Sequence, residues 1–131
     1  MEVSGTPIRR KLHDLYVKLL DGVKGVKVMC QPEGGDFDSN YWLTCITVEP
    51  GVAGFTRENV RLALDADNIE SRPLWKPMHL QPVFKDAPFY GNGTSERLFE
   101  IGLCLPSGPT LTDEDVERVT KVVKQLSDFR F

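Results

Sequence analysis

Between Arg72 and Thr94 the chain carries four prolines, at positions 73, 77, 82 and 88, and no sustained apolar period. Proline lacks an amide hydrogen and fixes φ, so neither a long helix nor an interior strand can run through such a stretch. Regular structure must therefore come from the residues on either side. Yet the same stretch holds Trp75, Met78, Phe84, Phe89 and Tyr90. Disordered segments are poor in aromatics, and long irregular segments inside folded domains are usually functional. The reading is an ordered loop.

The flanks are more regular. Thr6-Pro7 is a helix start, with a capping hydroxyl before a residue preset for the first turn. Ile8, Leu12, Leu15, Tyr16, Leu19 and Leu20 follow at helical spacing, and Gly22 is the expected stop. Val26 to Cys30 reads as a short strand and Gln31 to Ser39 as a polar loop. Asn40 to Val48, rich in aromatic and β-branched residues, predicts a central strand ended by Pro50-Gly51. Thr56 is placed to cap a second helix that fades near Asp67-Asn68, with Phe55 stapling onto Val60. Ile69 to Ser71 is expected to return to the sheet. After the loop come a helical turn at Glu96 to Ile101, a buried strand at Gly102 to Leu105 and a turn at Pro106 to Pro109. A last helix opens at Thr112 with Asp115 completing a capping box and Leu111 stapling onto Val116. Its inward stripe is Val116, Val119, Val122, Val123 and Leu126. The order α-β-β-α-β-loop-α-β-α predicts an α+β, two-layer sandwich: a small, mostly antiparallel sheet with helices on one face.

At 131 residues the chain is expected to be a single domain, 1–131, with Met1 to Gly5 a linker, an expression remnant or a natural start. A net charge of −3 with mixed signs and no basic face argues against nucleic acid as a partner, though not against one phosphate group. The sequence has neither a signal peptide nor an apolar run of membrane-spanning length, so a cytoplasmic protein with no membrane role is expected. Cys30, Cys45 and Cys104 are odd in number, widely spaced and in no ligand pattern with His13 or His79. They read as reduced, mostly buried thiols in a reducing compartment, and no metal site is expected. Asn92-Gly93-Thr94 fits a glycosylation sequon but reads as a turn.

The chain holds no GxSxG, P-loop or dinucleotide glycine fingerprint, and no self-contained catalytic set. Glu33, Asp36 and Asp38 read as solvated loop carboxylates. Ser71-Arg72-Pro73-Leu74-Trp75-Lys76-Pro77-Met78-His79-Leu80 is different, because it gathers a guanidinium, an ammonium, an imidazole and an indole on backbone stiffened by two prolines. Arg offers a planar fork for phosphate or carboxylate, Lys a mobile point charge and Trp a stacking face. Two readings stand on chemistry alone: a binding loop, or a surface loop whose Trp packs on the core while its cations face water.

Asn40-Tyr41-Trp42-Leu43-Thr44, the run Ser71 to Pro82 and Leu103-Cys104-Leu105-Pro106-Ser107-Gly108 together resemble the C-terminal signatures of the DegT/DnrJ/EryC1/StrS family of sugar aminotransferases. The likeness runs in order from about Arg9 to the end and includes Leu111 to Val116. It implies the small domain of a fold-type-I enzyme, normally a homodimer about three times this length, which uses pyridoxal phosphate to move an amino group, commonly from glutamate, onto a nucleotide-linked keto sugar. Such products feed polysaccharide, lipopolysaccharide or antibiotic-sugar synthesis. The resemblance places the cofactor-binding lysine and most cofactor contacts in a larger N-terminal domain that this sequence does not contain. It therefore assigns no catalytic and no cofactor-binding residue here, and no pyridoxal phosphate is expected on this chain alone. Arg72, Trp75, Lys76, His79 and Tyr90 become candidate substrate-binding residues, with Lys76 on the substrate side rather than as the cofactor lysine. The loop's large apolar groups are expected to face the missing domain. Competing readings are a free-standing ligand-binding or regulatory module without catalysis and a truncated gene product.

Overall fold

The computed structural model describes residues 6–128; Met1 to Gly5 lie outside the described residues. Helix α1 spans Thr6–Leu20 and turns Leu12, Tyr16 and Leu20 inward. Strands β1 (Val26–Val28) and β2 (Thr44–Val48) follow, then helices α2 (Pro50–Ala53) and α3 (Arg57–Ala66) and strand β3 (Arg72–Pro73). Helix α4 (Thr94–Ile101), strand β4 (Gly102–Leu105) and helix α5 (Asp113–Asp128) complete the order. It matches the sequence reading except for α2, a single turn where Pro50-Gly51 was expected only to end a strand. Pro50 occupies the first turn of α2, where a missing N–H leaves nothing unpaired.

The strands form one antiparallel sheet in the order β1-β2-β4-β3. Strand alternation sends Ile46 and Val48 of β2 and Leu103 and Leu105 of β4 to one face, where they join Tyr16, Val60, Leu64 and Val116 in one buried cluster. Helix α5 lies between α1 and α3 on that face. Each such side chain withdrawn from water contributes roughly 1.5–3 kcal/mol, so this layer of contacts holds sheet to helices. The result is the expected two-layer α+β architecture. Gly25 has a φ of +82°, and a Cβ there would stand 2.4 Å from the Ala53 nitrogen. Only glycine lets the turn before β1 come this close to α2.

The capping box expected at Thr112 forms, and Thr56, expected as a cap, forms a box with Asn59 as well. Thr56 and Asn59 exchange hydrogen bonds at 2.8 and 3.0 Å, and Thr112 and Asp115 do so at 2.8 and 3.2 Å. Phe55 and Val60 are both buried beside the first box, and Val116 and Val123 line the inner face of α5.

Several boundaries move. The strand expected from Asn40 begins only at Thr44. The Tyr41 amide donates to Ser39 Oγ at 3.0 Å and the Trp42 amide to Asn40 Oδ1 at 3.1 Å, and Tyr41 takes a φ of 45°. Polar side chains that capture nearby amides compete with strand pairing in this way. The Val26 to Cys30 run is a strand only over Val26–Val28, with one further bond from the Met29 amide to the Cys45 carbonyl at 2.9 Å. Ile69 to Ser71 does not return to the sheet. Instead Asn68 adopts a φ of 59° and the Ile69 amide donates to the Leu64 carbonyl at 2.9 Å, closing α3, and pairing with β4 starts at Arg72. Helix α4 begins at Thr94 rather than Glu96. Of the three thiols only Cys104 is buried; Cys30 is exposed and Cys45 intermediate.

Candidate functional site

The 72–94 segment is built from short local ties. Arg72 and Pro73 pair with Cys104 and Leu103, and the Leu74 amide reaches the Gly102 carbonyl at 3.4 Å. A Cβ on Gly102 would lie 2.2 Å from Leu74 Cδ1, so the glycine makes room for the side chain that seats the segment on the sheet. Single 3-10 turns follow at Met78–Leu80 and Pro82–Phe84, and Gln81 Nε2 donates to the Lys76 carbonyl at 3.1 Å. The His79 ring stacks on Phe89, centroids 3.7 Å apart and planes 16° apart, while its Nε2 lies 2.5 Å from Glu96 Oε1 on α4. The segment is thus ordered with little regular structure, held by a short strand pairing, single turns and side-chain contacts where its prolines deny the backbone more.

Its surface is unusually apolar. Trp75 is 74% exposed, Met78 63%, Val83 78% and Tyr90 91%. Large apolar groups exposed in one segment are characteristic of interaction surfaces and ligand grooves. Arg72 is exposed and ion-paired with Glu70 at 2.7 Å, and Lys76 is exposed. The sequence candidates therefore share one loop but not one enclosed pocket. Arg72 and Trp75 line an open groove of about 840 Å³, together with Phe99, Ser107, Asp115 and Arg118. Lys76, His79 and Tyr90 lie outside its walls, and the His79 ring is already committed to Phe89 and Glu96. Ser71 Oγ, at the groove wall, is buried with no hydrogen-bond partner.

Sequence reasoning missed a second cluster that positions the groove's far wall. Arg9 Nη1 donates to the carbonyls of Trp42 at 2.5 Å and Ser107 at 3.0 Å, with its guanidinium 4.1 Å from the Trp42 ring. The Tyr16 hydroxyl donates to the Pro106 carbonyl at 2.7 Å, and burial, aided by the Asp115 charge, pushes its phenol pKa up. The Thr44 amide donates to Ser107 Oγ, which donates to the Leu105 carbonyl. His13, only 3% exposed, stacks on Tyr41 at 3.6 Å with Nε2 2.9 Å from the Met29 carbonyl. Its place inside the α1 apolar stripe, next to Leu12 and three before Tyr16, was the available signal. Hydrogen bonds from the Thr112 amide, then its hydroxyl, hold Asp115 below the ordinary carboxylate range, with Arg118 adding to the effect.

The sequence profile of the DegT/DnrJ/EryC1/StrS aminotransferase family matches residues 6–124. The chain belongs to that family. Among similar proteins is a Bacillus subtilis protein named as a pyridoxal phosphate-dependent aminotransferase, EpsN, 38% identical over 122 residues, which cover 90% of this chain and 30% of the relative. GDP-perosamine synthase of Caulobacter vibrioides is 33% identical over 86 residues, covering 66% of this chain and 23% of the relative. A family aminotransferase of known structure from Brucella abortus superposes with a TM-score of 0.76 at 28% identity, over 93% of this chain and 31% of the other. S. venezuelae DesV does so with a TM-score of 0.80 at 26% identity, over 94% and 32%. The chain spans about a third or less of the length of the family members it matches. Among the described residues, no helix is long and apolar enough to cross a membrane.

Proposed function

We propose that this chain is the C-terminal small domain of a pyridoxal-phosphate-dependent nucleotide-sugar aminotransferase, and that its 72–94 segment borders the sugar-nucleotide site of the intact protein. The observation that carries this reading is a loop that is internally well tied yet turns Trp75, Met78, Val83 and Tyr90 to solvent in a chain spanning 30% of its aminotransferase relative. Such a loop suits a surface closed by another domain. Arg72 is placed for phosphate or carboxylate, Trp75 and Tyr90 offer stacking faces, and Lys76 adds a mobile charge. His79, through Phe89 and Glu96, holds the loop's shape. The name GDP-perosamine synthase of one relative supports a nucleotide-linked sugar as substrate; glutamate is the proposed amino donor, and a cytoplasmic homodimer the proposed state.

The residues present do not fit the cofactor. Every lysine of the chain is exposed, and none lines the 840 Å³ groove. A cofactor held covalently needs an enclosed lysine with phosphate and ring contacts around it. We therefore place that lysine in the part of the protein this chain does not span, and the chain alone is expected not to transaminate.

Two measurements test the reading. Incubating this chain with pyridoxal phosphate, reducing with borohydride and mapping adducts should give no stoichiometric label at any one lysine. In the intact protein, Arg72→Ala and Lys76→Ala should weaken sugar-nucleotide binding by roughly 1.5–3 kcal/mol, about 10- to 150-fold, at unchanged cofactor occupancy. Variants that bind substrate normally but melt earlier would make the loop purely structural.

A further inference from the structure

Cys45 and Cys104 face each other across the two central strands, with Sγ atoms 3.5 Å apart. The Cys45 carbonyl accepts from the Met29 amide at 2.9 Å, on the β1 side, so its backbone groups point away from β4. That makes Cys45 and Cys104 a non-hydrogen-bonded antiparallel pair, the type that brings opposed side chains closest, with Cα atoms ~4.5 Å apart. This lies within the ~4.4–6.8 Å range over which a disulfide closes without moving the backbone. Alternation with the core residues Ile46, Leu103 and Leu105 puts both sulfurs on the face away from the helices. Cys45 is half-buried there, and Cys104, 8% exposed, lines the open groove. The pair therefore lies on the side of the sheet away from the main core, with Cys45 its more exposed member.

We propose that Cys45 and Cys104 form a dithiol redox-modification site that closes to a cross-strand disulfide under attack by a small-molecule disulfide. One thiolate of the pair attacks one sulfur of the reagent and expels a small thiolate, which takes up a proton. The other sulfur of the pair, giving up its own proton, then attacks the protein sulfur of that mixed disulfide and expels the second small thiol. Two protein thiols and one disulfide become one protein disulfide and two thiols, so atoms and electrons balance. Either sulfur can donate in the 3.5 Å contact, so each thiol of the pair can make the first attack, and Cys45 is the more exposed of the two. Cys30, on its exposed loop, has no sulfur opposite it and takes no part. The closed bond would join β2 to β4 and tie down the chain between them, which includes the 72–94 segment.

The test uses this chain carrying Cys30→Ser, an exposed change, so that only the pair remains. Treated with oxidised glutathione in native buffer, it is expected to lose both thiols, to fall in mass by two hydrogen atoms with no glutathione retained, and to regain both thiols on reduction. Peptide mapping should link the segments holding Cys45 and Cys104. Because the native register holds the sulfurs together, closure should run at least about tenfold faster than in the urea-unfolded chain. Two surviving thiols, a lasting glutathione adduct, or closure no faster than in urea would each overturn the proposal.

Discussion

The imidazole of His79 and the carboxylate of Glu96 lie 2.5 Å apart, tying the proline-rich loop to the first turn of α4. With Phe89 stacked on its face, His79 is the point where the loop's two halves meet. A histidine chosen from sequence for its chemistry is thereby given a holding role by its neighbours.

Replacing His79 with alanine should therefore loosen the loop more than the fold. A stacked aromatic pair is worth about 0.5–1.5 kcal/mol, and the partly exposed contact with Glu96 adds little once solvent screening is counted. The expected loss is about 1 kcal/mol in urea unfolding, with hydrogen exchange accelerated across residues 76–93 and unchanged in β2 and β4. Unchanged exchange in the loop would remove His79 from this role.

Gly102→Ala should cost more. The new Cβ would meet Leu74 Cδ1 at 2.2 Å and the Leu98 carbonyl oxygen at 2.5 Å, and forcing an added methyl into such a contact costs about 1–3 kcal/mol. Trimming Leu74 to alanine in the same chain should relieve part of that loss, because one of the two clashes disappears. A double-mutant cycle in denaturant would detect this as non-additivity; strictly additive losses would mean the two residues do not share the space.

The Thr112–Asp115 box predicts a pH signature. The folded pKa of Asp115 lies below its unfolded value, so its contribution is present above the ordinary carboxylate range, about pH 4, and is lost as pH falls through the folded pKa. Asp115→Ala should thus destabilise the chain at neutral pH, and the gap between variant and wild type should narrow as pH is lowered below about 4. A gap independent of pH would assign the effect to helix propensity instead of the cap.

Local devices were legible in the sequence because their partners sit a few residues apart. Thr56 as a helix cap, Thr112 with Asp115, and the stripe Val116, Val119, Val122 and Val123 follow from helical geometry alone, and the prolines with their interleaved aromatics announced an irregular yet ordered loop. What needed the tertiary structure was every feature whose partners lie far apart in the chain. The start of β2 at Thr44 depends on Ser39 and Asn40 capturing amides and on His13 of α1 receiving the Tyr41 ring. Arg9 meeting Ser107 joins residues 98 positions apart. Whether Cys45 faces Cys104 or misses it turns on the β2–β4 register, since a slip of one residue would send one of the two sulfurs to the other face of the sheet. Helical periodicity is a property of a segment; strand register and ring contacts are properties of segments meeting, and only the folded chain decides which segments meet.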